Sequence, residues 1–174
     1  MTFGIGNLAL KNTVDATNNE NSKNQLVKAV IDMTGFMDLE CQVELKEETD
    51  DRNSKAASVS IYTLENARFL IGKNGQNLKA LEQVLRAMFL KKLEGVSNIT
   101  VDVNDYRKSR MLQVVDTARQ AVTRVRSAQK AEALLPMSPY ERRIVHMELA
   151  SCPDIATESI GTEPNRRIVI KPYP

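Results

Sequence analysis

Apolar residues occupy every second position in three short stretches of the first hundred residues, the pattern of half-buried strands. These stretches are residues 39–46, 57–62 and 98–103. Apolar residues recur instead at spacings of three and four in three other stretches, which is typical of amphipathic helices. Those are residues 25–36, residues 64–71 and the stretch from residue 76 to Gly95. The pattern therefore predicts the order α-β-β-α-α-β.

The later part of the chain predicts a second module. A helical pattern from Asp105 to about Lys130 has an apolar stripe, and a further helix is predicted from Pro139 to about Ala150. Strands are predicted for "AEALL", "IATESI" and "RRIVIKP", with the turn-forming "GTEPN" between the last two. The fold class that follows is α+β, built from two small α/β modules.

Four segments follow from these patterns. Residues 11–24 are polar, rich in asparagine and without apolar periodicity, which predicts a flexible leader over residues 1–24. Residues 25–104 form the first module, residues 105–130 a connecting basic helix, and residues 131–174 the second module. No run of eighteen apolar residues and no signal peptide is visible, so we expect a cytoplasmic protein.

The net charge of +2 hides a gradient along the chain. Residues 1–60 contain 6 Lys or Arg and 10 Asp or Glu, a balance of −4, whereas residues 61–174 contain 18 and 12, a balance of +6. This asymmetry is compatible with a nucleic-acid partner, although a charged face is more often only solvated. For the long helix after Asp105 both interpretations stay open, because its cations suit either a solvated connection or a nucleic-acid contact.

The stretch "LIGKNGQNLKALEQVL" places the loop Gly72-Lys73-Asn74-Gly75 immediately before a predicted helix. Glycine at both ends permits positive φ and close approach of another chain. The unpaired N–H groups and the dipole at a helix start attract an anion, and Lys73 adds a positive charge. The loop therefore predicts a phosphate contact, with a plain corner between two helices as the alternative. Ile71 and Leu78 are predicted either to shape an adjoining groove or to lie in the core.

The stretch "SPYERRIVH" begins with a capping box, in which Ser138 and Glu141 bond reciprocally and Pro139 takes the first helical position. Arg142 and His146 are four residues apart and so share one face of the helix. Tyr140, Ile144 and Met147 lie on roughly the opposite face, which we expect to be the core side. The sequence thus predicts an exposed Arg142–His146 pair.

Residues 25–103, with the loop at Gly72–Gly75, resemble a type II KH domain. The Arg-x-x-x-His spacing, with "LLPMSPYER" before it and "TESIGTEPNRRIVIKP" after it, resembles the R-three-H domain. The two domains in this order resemble the bacterial Jag (SpoIIIJ-associated) family over residues 25–174. The resemblance implies single-stranded nucleic acid as the ligand, held by Gly72, Lys73, Asn74 and Gly75 and by Arg142 and His146, with Arg166, Arg167 and Lys171 extending the positive surface. It also implies two partners, a small single-KH protein and a membrane insertase of the YidC type.

The predicted function is that of a non-enzymatic binder of single-stranded RNA, either a post-transcriptional regulator or an RNA chaperone. Single-stranded DNA is the alternative ligand, and a protein–protein adaptor with a ligand-free KH fold is the alternative class. One histidine, no nucleophile–base pair and no metal-ligand spacing argue against an enzyme, a metal site or a cofactor. Cys41 and Cys152 lack CxxC spacing and are expected to be reduced structural thiols.

Overall fold

The computed structural model describes residues 6–49 and 55–173, with the backbone alone for residues 6–18. Within these ranges the chain divides into two compact units, and the division falls between Tyr106 and Arg107. Each unit has its own sheet and its own hydrophobic core. The α+β fold class predicted from the sequence is confirmed.

The first unit follows the predicted order α-β-β-α-α-β. Its elements are α1 (Gly6–Gly35), β1 (Gln42–Thr49), β2 (Lys55–Tyr62), α2 (Ala67–Ile71), a 3₁₀ turn (Lys73–Gly75), α3 (Gln76–Phe89) and β3 (Val96–Val103). The strands lie in the order β1-β2-β3, with β1 antiparallel and β3 parallel to the central β2. The parallel pairing requires a crossover, and α2, the 3₁₀ turn and α3 supply it.

Helix α1 corrects one expectation. It begins at Gly6, so residues 11–24, which lie in the segment predicted to be a flexible leader, are helical. The reason is cooperativity. Leu26 and Val30 are fully buried and fix the last turns, and a helix once nucleated extends through polar residues at little further cost. The segment contains no glycine or proline to stop it before Gly6.

The core of the first unit lies between one face of the sheet and the helices. Its buried side chains come from β2, β3, α1, α2 and α3, and the half-buried Val43 and Leu45 of β1 pack against them. The buried residues include Leu26, Val59, Ile61, Leu70, Leu78, Leu85, Phe89, Ile99, Val101 and Val103. Helix α3 is also tied to β3 by a buried carboxylate. Glu82 accepts the backbone N–H of Val101 at 3.1 Å and pairs with Arg86 at 2.8 Å. These contacts fix the middle of α3 against the sheet.

The second unit consists of α4 (Tyr106–Ala128), β4 (Glu132–Ala133), α5 (Pro139–Leu149), β5 (Ile155–Ile160) and β6 (Arg167–Pro172). Only the first residue of α4 belongs to the other unit. The strand order is β4-β6-β5, and both pairings are antiparallel. Ala118, Ala121 and Val125 of α4 pack with Val145 of α5 and Ile168 of β6, all at 0–1% exposure. The helix predicted as a connection therefore supplies a large part of this core.

Candidate nucleic-acid interface

The Gly72–Gly75 loop has a left-handed backbone at three of its four residues. φ is +70° at Gly72, +52° at Asn74 and +78° at Gly75. The side chains of Lys73 and Asn74 between the glycines are exposed, as the sequence predicted. The loop therefore presents a lysine and an asparagine at a sharp bend whose conformation favours glycine.

Close packing also excludes a Cβ at Gly72 and leaves little space for one at Gly75. A Cβ at Gly72 would lie 2.5 Å from Cγ of Asn77, whose Nδ2 donates to the carbonyl of Phe69 at 2.8 Å. Because that amide is held in place, it cannot easily move away. A Cβ at Gly75 would lie 3.1 Å from Cε1 of Tyr106. Asn77 and Tyr106 thus hold the bend at its two ends in the absence of a ligand.

Helix α3 begins directly after the loop, and its start is suited to a negative charge. Gly75 is the N-cap and supplies no side-chain hydrogen bond, and the first turn contains no acidic residue. The helix has 14 residues, long enough for its dipole and its first N–H groups to attract an anion. Lys73 and Lys79, both exposed, add positive charge at this end.

Two exposed residues before the loop escaped the sequence analysis. The guanidinium of Arg68 lies 5.0 Å from the ring centre of Phe69, and the ring is 49% exposed. An aromatic face beside an arginine is the kind of surface on which an unpaired base stacks. The signal in the sequence was the Arg-Phe dipeptide three residues before the first glycine. By contrast, Leu78 is buried and Ile71 packs against the core, so both belong to the interior.

Helix α5 of the second unit begins as predicted. Ser138 Oγ accepts the backbone N–H of Glu141 at 3.3 Å, and Glu141 Oε2 accepts the N–H of Ser138 at 2.7 Å. Pro139 follows the cap. Glu141 also pairs with Arg110 at 2.7 Å. Burial disfavours the charged carboxylate, but the bonds from Ser138 and Arg110 outweigh it, so the pKa of Glu141 lies below its usual range.

The predicted core face of α5 is wrong. Tyr140 and Met147 are 69% and 67% exposed, whereas Val145 and Leu149 are buried. The buried face is instead the one that contains Val145 and Leu149, which are four residues apart. Tyrosine and methionine tolerate water better than valine and leucine do, because a phenol hydroxyl and a thioether are more polar than an alkyl group.

Arg142 is not exposed, contrary to the prediction. Its side chain is 8% exposed; Nη1 donates to the carbonyl of Met137 at 2.8 Å and Nη2 to Glu163 Oε1 at 2.7 Å. Arg142 shares the inner side of α5 with Val145, and its guanidinium joins the loop before α5 to the loop between β5 and β6. In this conformation it holds two loops together and has little surface left for a ligand.

His146 remains accessible. It is half-buried, and its Nδ1 lies 2.7 Å from Thr157 Oγ1 on β5. Two residues further along β5, Ser159 accepts a hydrogen bond from Nε of Arg166 at 3.0 Å. Thr157 and Ser159 lie on the same face of the strand because they are two residues apart. His146, Thr157, Ser159 and Arg166 therefore form one polar row, which we call the His146 row.

Arg167 and Lys171 lie on the opposite face of the second sheet. They alternate along β6 with the buried Ile168 and Ile170, which face the helices. Lys171 pairs with Glu158 on β5, and Nε of Arg167 donates to the carbonyl of Asn165 at 3.2 Å. Of the three basic residues proposed to extend the Arg142–His146 surface, only Arg166 joins the His146 row.

The cations of α4 are largely engaged within the second unit. Arg119 pairs with Glu148, Arg124 with Glu132, and Arg126 with Asp154, at 2.6 to 2.7 Å. The hydrogen bond from Arg126 holds the pKa of Asp154 below its usual range. Arg110 pairs likewise with Glu141, so four arginines of α4 have carboxylate partners. This favours a solvated, internally paired helix over a nucleic-acid contact surface.

Among the residues that the structure describes, no three His, Cys, Asp or Glu side chains gather as metal ligands would. Across the same ranges, no helix combines the length and the apolar character needed to cross a membrane. Cys41 and Cys152 are both free and half-buried.

The second unit matches a known domain family. The R-three-H domain family matches residues 112–172, which includes most of α4 and all of the second sheet. The matched span contains Arg142, His146 and the whole His146 row.

Longer similarities run through both units. The chain is 28% identical over 140 residues to the RNA-binding protein KhpB of Clostridium symbiosum, covering 74% of this chain and 63% of that protein. It is 30% identical over 122 residues to KhpB of Streptococcus pneumoniae serotype 2, covering 70% and 37%. It is 38% identical over 111 residues to KhpB of Bacillus subtilis, covering 62% and 53%. The chain thus spans about half the length of the curated relatives it matches.

Proposed function

Because this chain is an R-three-H-domain homologue of the bacterial KhpB proteins of the Jag family, we propose that it binds single-stranded RNA and catalyses no reaction. The observation that carries the proposal is the Gly72–Gly75 loop, which combines an exposed lysine with an uncapped helix start. A phosphodiester accepts hydrogen bonds from the first N–H groups of α3 and an ion pair from Lys73. The ring of Phe69 supplies a stacking surface for a neighbouring base.

The His146 row is the proposed contact of the second unit. Arg166 is exposed and carries a fixed charge, and the hydroxyls of Thr157 and Ser159 can donate to phosphate or ribose oxygens. The half-buried imidazole of His146 offers one edge for stacking or for a hydrogen bond. Arg142 supports this row indirectly, because it binds Glu163 in the loop that leads to Arg166.

We further propose a cytoplasmic role in post-transcriptional regulation or as an RNA chaperone. Two small sites that hold the RNA backbone and stack on its bases can bind unpaired segments of many transcripts. The proposed partners besides RNA are a small single-KH protein and, through it or directly, a membrane insertase.

The test is equilibrium binding of a labelled single-stranded RNA, with a sequence-matched single-stranded DNA and an RNA duplex for comparison. We expect the single-stranded RNA to bind most tightly, and the slope of log K against log salt to be about −0.7 for each phosphate neutralised. Equal binding of single-stranded DNA would move the ligand assignment to DNA. Absence of binding to either single strand at low salt would favour the adaptor.

One pair of variants tests the loop itself. Lys73→Asp places a negative charge where the phosphate is proposed to bind, and Lys91→Asp makes the same change just after the other end of α3. Both lysines are exposed, so both variants should fold. We expect Lys73→Asp to lower RNA affinity by about tenfold or more, and Lys91→Asp to lower it only slightly. Equal losses would mean that the loop contributes general charge alone.

A further inference from the structure

An open cavity of about 1030 Å³ lies in the first unit, away from the Gly72–Gly75 loop. It is lined by the segment that leads into β1 and by the connection between β2 and α2. Its lining residues are Asp38, Leu39, Glu40, Cys41, Gln42, Tyr62, Thr63, Leu64, Glu65, Asn66 and Asn104. The loop is at the far end of α2 from this connection.

The cavity is rimmed by apolar side chains that water surrounds. Leu64 is fully exposed and Tyr62 is 39% exposed, and both line the cavity. Phe36 and Met37 immediately precede Asp38 in the turn that leads to β1 and are 90% and 48% exposed. Large apolar side chains that gather at the surface in this way mark sites where another molecule binds.

The walls of the cavity are held by hydrogen bonds and are ready for a ligand. Asn104 accepts the backbone N–H of Thr63 at 3.0 Å and donates to its carbonyl at 2.8 Å. Thr63 Oγ1 in turn donates to the carbonyl of Glu65 at 2.8 Å. The lining residue Cys41 has its Sγ 2.9 Å from Oγ1 of Thr34 in α1. Little conformational entropy is lost when such a site is filled.

The charge of the lining selects the ligand. Asp38, Glu40 and Glu65 contribute three carboxylates, and no lysine, arginine or histidine is among the described residues that line the cavity. A phosphodiester chain would be repelled here, unlike at Lys73. The cavity also has an open sheet edge beside it, since in the described part of the chain β1 is an outer strand of the order β1-β2-β3. An edge strand can accept an extended segment of another protein.

We propose that this cavity is a docking site for an extended protein segment that alternates apolar and basic residues. The apolar residues fill the space around Leu64 and Tyr62, and the basic residues pair with Glu40 and Glu65. The first unit then holds RNA at one end of α2 and a protein segment at the other, so the chain links an RNA to a second protein.

The probe is a labelled synthetic peptide in which leucine alternates with arginine. Peptides that alternate leucine with glutamate and serine with arginine are the charge and apolar controls. Binding to the full chain is measured by anisotropy, and the site is located by amide chemical shifts. We expect only the leucine–arginine peptide to bind, with shifts concentrated in residues 38–42 and 62–66. Equal binding of either control peptide, or shifts centred on residues 72–75, would overturn the proposal.

Variants then test the two parts of the recognition. Glu40→Lys with Glu65→Lys should lower affinity for the leucine–arginine peptide by about tenfold or more, because like charges then meet. Leu64→Asp should also weaken it, whereas Val84→Asp, on an exposed residue of α3 outside the cavity, should not. Peptide affinity that survives the double charge reversal would refute the site.

Two further measurements test whether RNA or a second copy of the chain occupies the cavity instead. Single-stranded RNA should bind the Leu64→Asp chain nearly as it binds the parent, since the proposed RNA contacts lie elsewhere. It should bind the Glu40→Lys/Glu65→Lys chain at least as tightly as the parent, since each reversal adds positive charge. Competition between RNA and the peptide for the cavity would overturn the assignment to protein. If the parent self-associates and Leu64→Asp makes it monomeric, the occupant is a second copy of the chain and not a basic segment of another protein.

Discussion

Replacing Arg142 should damage the stability of the second unit far more than it damages any direct contact with RNA. The guanidinium is almost completely buried and donates to the Met137 carbonyl and to Glu163. Arg142→Ala removes both bonds and leaves the carbonyl of Met137, in the loop before α5, without this donor. Arg142→Lys keeps the charge but, with one ammonium group, cannot reach both partners in the same geometry.

The size of the effect follows from the two bonds. A hydrogen bond to a charged group contributes about 1.5 to 3 kcal/mol. The bond to Glu163 contributes less than this, because Glu163 is 54% exposed. Exposed ion pairs contribute only about 0.2 to 1 kcal/mol to stability. Arg142→Ala should therefore lower the free energy of unfolding by about 2 to 4 kcal/mol. Glu163→Gln, which keeps an acceptor oxygen, should lower it by about 1 kcal/mol or less.

The assay is urea unfolding followed by far-ultraviolet circular dichroism, with each unit allowed its own transition. RNA affinity is measured in parallel at a temperature where the variant is folded. We expect Arg142→Ala to shift the transition of the second unit and, in the folded state, to weaken RNA binding only modestly. Arg166→Ala should do the reverse. A stable Arg142→Ala chain that loses RNA binding at every salt concentration would refute the structural role and restore the ligand contact that the sequence suggested.

Three other changes test further parts of the structure. Gly72→Ala should lower the free energy of unfolding of the first unit by about 1 to 2 kcal/mol in urea titrations, because alanine disfavours φ of +70° and its Cβ would clash with Asn77. Gly35→Ala is the control, because a Cβ at Gly35 has no neighbouring atom within 4 Å. The pKa of Glu141 is lowered in the folded state, so its contribution is present above the unfolded pKa of about 4.3 and is lost as pH falls through the folded value. Glu141→Gln should thus cost stability at pH 7 and progressively less as pH falls below about 4.3, and a cost that does not change with pH would contradict the sign of the shift. His146→Ala should reduce RNA affinity in anisotropy titrations while leaving the urea midpoint nearly unchanged, since the ring makes one hydrogen bond to a partly exposed threonine.

Most secondary structure could be predicted because periodicity reports burial directly. Strand β5 coincides with "IATESI", and the alternation of Ile99, Val101 and Val103 identified the inner face of β3. The capping box of α5 was equally clear, because Ser138 and Glu141 interact locally. The bend at Gly72–Gly75 was visible for the same reason, since its conformation depends on neighbouring residues.

What the sequence did not reveal depends on contacts between distant residues. The partner of Arg142 is Glu163, 21 residues away, and nothing in the local pattern near either residue indicates the other. Residues 11–24 appeared too polar for a helix because a window of that length does not show that the next turns are anchored in a core. The separation of Arg166 from Arg167 and Lys171 required the strand register, which only the pairing of β5 with β6 provides.

The parallel pairing of β2 with β3 bears on how fast the first unit folds. Thr49 and Lys55 pair at the end of the β1–β2 hairpin, so this contact closes a short segment, whereas Val59 on β2 pairs with Val101 on β3, far along the chain. Contacts between residues distant in sequence form slowly, because the intervening chain must be ordered first. The Gly72–Gly75 loop lies within that intervening chain. We therefore expect the pairing of β2 with β3 to limit the folding rate of the first unit, and a substitution that disfavours the bend at either glycine to slow that step as well as weaken the proposed binding of RNA.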